Sequence, residues 1–140
     1  MFLLAFHSAL RWLVLLALIS SISRAVKGYF TKAVFTYTDN ALRHWTATIA
    51  HIQLVVGMTL YLRNPLLLKY SPFFRFIHIS CMFTAVVVLT IGSALAKRKP
   101  TDKEKFKAML VWFTISLIII LIAIPWPFSP LAHRPLFRSF

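Results

Sequence analysis

Residues 2–23 read FLLAFHSALRWLVLLALISSIS, and this stretch decides the fold. Apolar side chains follow one another without the alternation of a half-buried strand. At 1.5 Å per residue the run is long enough to cross a hydrocarbon core of about 30 Å. Three more such runs follow, at about residues 45–62, 76–96 and 108–124. Backbone polar groups find no partner in lipid, so each run must satisfy its own hydrogen bonds as a helix. The strands of a membrane barrel would alternate polar and apolar residues, which LVLLALI (13–19) and ISLIIILIAI (115–124) do not. The fold predicted is an all-α membrane protein. It is an antiparallel four-helix transmembrane bundle within residues 1–128, with both termini outside and a periplasmic tail at 129–140.

Composition points the same way. The 140-residue chain is 59% hydrophobic, against about 45–50% in soluble domains. Lys and Arg number 16 against 3 Asp and Glu, a formal charge of +13. A nucleic-acid binder would share that charge but not the apolar content. The single Cys81 leaves no disulfide framework. Soluble enzymes, stapled secreted domains and disordered basic tails are excluded.

The basic residues divide unevenly between the two sides. Arg24, Lys27, Lys32 and Arg43 lie in the first connection, and Lys97, Arg98, Lys99, Lys103, Lys105 and Lys107 in the third. The second connection and the tail hold only Arg63, Lys69, Arg75, Arg134 and Arg138. Ten against five places the first and third connections in the cytoplasm. The charge then reads as topology and attraction to anionic lipids rather than as a nucleic-acid site. No basic residue precedes Arg11, which itself interrupts the first apolar run, so residues 2–23 read as a retained span rather than a cleaved signal. Trp45 and Trp126 fall at span ends, where indoles favour the headgroup level.

Ionisable groups inside a span cost about 2.5–3.5 kcal/mol or more and mark function by default. His7 and Arg11 stand in the first span, His51 in the second and His78 in the third. His7 falls roughly 8 Å below the outer end of its helix and His78 roughly 4–8 Å below the same surface, while His51 is near midplane at roughly 16 Å. His7 and His78 therefore lie level, as two axial ligands of a b-type haem must. His7 and Arg11 share one helix face at i,i+4, and Arg75 and His78 share another at i,i+3. Asp39, Asp102 and Glu104 all fall in the cytoplasmic connections, so Arg11 must meet a backbone carbonyl, a lipid phosphate, another subunit, the C-terminus or an anionic cofactor such as a haem propionate. The bland alternative is that intramembrane histidines simply hydrogen-bond between helices. Cys81 reads as a small apolar packer, and His44 as a side chain reaching the interface.

Several segments carry a family likeness. HSALRWLVLLAL, AHIQLVVGMTLYL, the segment 74–99 and the closing IPWPF resemble small four-span bacterial inner-membrane proteins labelled cytochrome b-like. The resemblance covers the chain up to Phe128. It implies a haem b electron-transfer protein of the bacterial inner membrane, with His7, His51 and His78 as candidate ligands. Broader dihaem cytochromes b pair histidines on two helices, whereas one level pair and one odd histidine suit a single haem.

The reading that follows is an electron-carrying membrane subunit with one haem b near the periplasmic side. His7 and His78 would hold its iron, Arg11 and Arg75 its propionates, and His51 would be a second-site ligand or a hydrogen-bonding group for a quinone. The competing reading is a cofactor-free accessory subunit, with Arg11 paired to a carboxylate of a neighbouring membrane subunit. A quinone- or lipid-handling enzyme is disfavoured because the spans contain no Asp or Glu to serve as acid or base.

Overall fold

A computed structural model describes residues 2–63, 72–124 and 126, without the side chains of Phe74 and Arg75. Among these residues the chain is all-helical. Helix α1 spans Phe2–Thr31 and α2 spans Tyr37–Arg63; a π-helical stretch, Phe73–His78, runs directly into α3, Ile79–Arg98, and α4 spans Asp102–Ala123. Four helices are long and apolar enough to cross a membrane, the third of them counted from Phe76. The connection after Arg63 and the tail from Pro127 onward, with Lys69, His133, Arg134 and Arg138, lie outside the described residues.

Hydropathy finds the hydrocarbon-spanning part of each helix but not its ends. Helix α1 continues eight residues past the apolar run, and α2 begins eight residues before its own. Polar chemistry at the α1–α2 turn explains both extensions. Thr36 and Asp39 form a capping box: the Asp39 carboxylate accepts from the Thr36 backbone N–H at 2.9 Å, and Thr36 Oγ1 accepts from the Asp39 N–H at 3.3 Å. The same carboxylate receives Arg24 Nε at 2.6 Å and Nη2 at 2.9 Å, tying the last turns of α1 to the first turn of α2. Lys32 ends α1 at a φ of 52°, and the Ala33 N–H reaches back to the Gly28 carbonyl at 3.1 Å, the closure of a Schellman turn.

Thr101 caps α4 by accepting from the Glu104 N–H, and Asp102 and Glu104 place negative charge at the positive end of that helix. Helix α4 then packs on both α1 and α3, while α2 packs on α1 and more lightly on α3. Their shared core holds Leu15, Leu18, Leu89, Phe106, Met109 and Phe113. Two glycines permit the close approaches. A Cβ on Gly28 would stand 2.5 Å from the Phe106 ring, and one on Gly92 would collide with Trp112. Outside, Leu16, Val55, Ile118 and Ile122 are exposed apolar side chains, as lipid-facing helices require.

Candidate functional site

The first polar cluster gathers at the end of the molecule where α1 begins and α2 ends. His7 sits on α1 against Gly57 of α2, where an added Cβ would stand 2.9 Å from His7 Cε1. Gln53, one turn earlier on α2, donates its amide to the His7 backbone carbonyl at 3.0 Å and approaches the ring Nε2 at 3.4 Å. The opposite ring nitrogen, His7 Nδ1, is buried with no hydrogen-bond partner among the described residues, and so is Gln53 Oε1. Buried polar atoms ordinarily have a partner, and the described side chains supply neither of these with one.

His78 arrives from the last residue of the π-helical stretch, a wide turn that often marks functional positions. Its Nδ1 donates to the Ala123 carbonyl at the end of α4, at 2.8 Å. A carbonyl only accepts, so a neutral His78 carries its lone pair on Nε2, the tautomer that outer carbonyls impose on metal-binding imidazoles. His7 lies within electrostatic range of both His78 and Arg11, and Arg11 within range of His78. The Arg11 guanidinium stands 5.2 Å from the centre of the Trp12 ring, and Trp12 meets Trp126 edge-on at 6.3 Å. Trp126 in turn donates Nε1–H to the Leu121 carbonyl at 2.8 Å, so its ring lies back against the end of α4 beside Trp12.

The expected site residues thus separate into three groups. His7 and Arg11 of α1 and His78 of the π-helical stretch lie within electrostatic range of one another. The Arg75 side chain lies outside the described residues. His51 stands elsewhere, exposed on the outside of α2, where Nδ1 donates to the Ala47 carbonyl at 2.7 Å and Nε2 meets Thr90 Oγ1 of α3 at 3.2 Å. No group of three or more His, Cys, Asp or Glu among the described residues is arranged to hold a metal ion; a two-imidazole site falls below that count. Gln53 was readable as a further polar residue within a span, and the unpartnered atoms beside it make it part of the cluster.

A second polar cluster lies at the opposite end, and of its members the sequence marks only Arg43, as charge in a connection. Arg43 is 5% exposed and donates to the Ser93 carbonyl and hydroxyl and to Asn40 Oδ1. Ser21 and Thr46 share a buried hydrogen bond of 2.8 Å between α1 and α2. These groups satisfy one another and read as structural. No family model matches the chain, and neither does any curated protein or solved structure.

Proposed function

We propose that the chain is a transmembrane b-type cytochrome-like subunit of a bacterial inner membrane, carrying electrons through one haem held near the outer surface. In this reading the bundle is antiparallel, both termini face the periplasm, and the chain works within a larger membrane complex. What carries the proposal is the convergence of His7, Arg11 and His78 beside a buried imidazole nitrogen that has no hydrogen-bond partner.

Two features of these residues fit a haem. The Ala123 carbonyl holds His78 in the ligating tautomer. Gly57 leaves room for the flat His7 ring where any Cβ would intrude. His7 and His78 would hold the iron, and the Arg11 guanidinium, steadied on Trp12, would supply positive charge to the propionates. Bound there, the haem would supply a one-electron iron couple whose potential its ligands and buried surroundings set. The protein's own share is to hold two imidazoles at fixed orientation, place a cation at the acidic edge and keep water away with Trp12 and Trp126.

A second reading is a cofactor-free accessory subunit. It is favoured by the closeness of His7 to Gly57 and by the Gln53 amide on the His7 carbonyl, which let these helix ends close without a guest. A reduced-minus-oxidised spectrum of the purified protein separates the two. A sharp b-type α-band that disappears in His7→Ala or His78→Ala upholds the haem, whereas a colourless, well-folded preparation selects the accessory role.

A further inference from the structure

His51 and Thr90 are a polar pair on the outside of the fold, in the middle of two spanning helices. Ala50, the midpoint of the 27-residue α2, is the neighbour of His51. Both His51 and Thr90 are exposed, so in a membrane they face hydrocarbon rather than the interior of the protein. Polar groups at that depth are costly unless something covers them.

Their protons can be counted. The Ala47 carbonyl accepts from His51 at 2.7 Å, which fixes the proton on Nδ1 and leaves Nε2 of the neutral ring as an acceptor. The Thr90 hydroxyl faces two acceptors with one proton: the Val86 carbonyl at 2.6 Å and His51 Nε2 at 3.2 Å. The shorter contact takes it. The pair is therefore one donor short, on its lipid-facing side.

The surroundings describe the occupant. Along α2, His51, Val55, Met58 and Leu62 form an exposed stripe at i,i+4,i+7,i+11, and along α3 Phe83, Val87 and Thr90 form another. His51 and Thr90 bridge the seam between them. An elongated strip of this kind suits a helix, whereas a small molecule takes a concave pocket. An oxidised quinone offers only carbonyl acceptors and so gives nothing to Nε2, while a quinol, which does donate, would still take a concave pocket rather than a strip. A second copy of this chain inserted the same way keeps every residue at its own depth. The hydroxyl level with His51 would again be Thr90, whose proton is on Val86. Nearby Thr48 and Thr59 are likewise bonded to their own helix at His44 and Val55.

We propose that the outer face of α2 and α3, centred on His51 and Thr90, docks a transmembrane helix of a different protein that presents a side-chain hydrogen-bond donor at mid-bilayer depth. Apolar packing against Val55 and Val87 gives the contact its area, and the donor to His51 Nε2 gives it register. The haem reading is not required for this surface.

The test uses a leucine–alanine transmembrane peptide with one central asparagine and its twin with a central leucine. Energy transfer to the labelled full-length protein is measured in phosphatidylcholine vesicles, at dilutions where peptides alone show none. The asparagine peptide should bind about five-fold more tightly, the ratio for about 1 kcal/mol. His51→Leu should erase that preference. Val55→Trp, which leaves the imidazole in place but obstructs the strip, should weaken both peptides. Equal binding of the two peptides, or a preference that survives His51→Leu in a protein with unchanged helicity, overturns the proposal. So does energy transfer between two labelled copies of the protein that His51→Leu abolishes, since that makes the face a self-association surface.

Discussion

At the scale of single residues, the lipid environment makes charge legible and shape illegible. His7, Arg11 and His78 stood out in the sequence because ionisable groups are expensive in hydrocarbon, and the fold brings them together. His51 carried the same mark with equal force, yet it faces outward, because helical phase and not hydropathy decides direction. For the haem proposal this yields a ranking: His78→Ala would remove bound haem, while His51→Ala would retain more of it, as read from the reduced-minus-oxidised spectrum. The opposite ranking would move the iron to the α2 outer face. Gly57 offers a finer probe. Alanine there sets a methyl group 2.9 Å from His7 Cε1, so the ring must turn. Overpacking of this kind costs about 1–3 kcal/mol, and the α-band should shift or broaden with the protein still folded. An unchanged band at full haem content would free His7 from the ligand role.

Among the elements, the number of helices could be read and their ends could not. Four apolar runs announce four helices, but each run records only the stretch that must avoid water. The eight-residue extension of α1 depends on Arg24, and the early start of α2 on the Thr36–Asp39 box; both residues at the tie look like ordinary loop charge in sequence. The π-helical turn at Phe73–His78 has no composition signature at all. Two substitutions test the α1–α2 turn. Asp39 is 2% exposed and holds both Arg24 nitrogens and the Thr36 N–H, so Asp39→Ala should destabilise by about 2–3 kcal/mol in detergent thermal unfolding. A loss below half a kilocalorie would make the pair a surface ornament. Lys32 occupies a left-handed conformation that glycine adopts freely. Lys32→Gly should therefore stabilise by about 0.5–1 kcal/mol, less the entropy that glycine adds to the unfolded chain. Lys32→Val, with its branched side chain, should do the reverse.

For the whole molecule, the remaining question is which way it sits in the membrane, and the two polar clusters make the answer consequential. One end carries the His7–Arg11–His78 cluster and the other the Arg24–Asp39 tie with most of the chain's basic residues. By the positive-inside rule the Lys and Arg excess would put that second end in the cytoplasm. If so, the imidazole cluster opens toward the periplasm, and any electron partner must meet it there. Single cysteines read this directly in a Cys81→Ser background, with a membrane-impermeant maleimide. A cysteine at Lys99, between α3 and α4, should label only after the membrane is breached. One placed in the tail after Pro130 should label in intact spheroplasts. The arginine and lysine bias also makes a sharper demand: neutralising Lys97, Arg98, Lys99 and Lys103 together should raise the fraction of inverted molecules, because those charges set orientation. Labelling of Lys99→Cys in intact spheroplasts of the otherwise unaltered chain would invert the arrangement. The same two imidazoles would then face the cytoplasm, and a periplasmic redox partner would have no route to them.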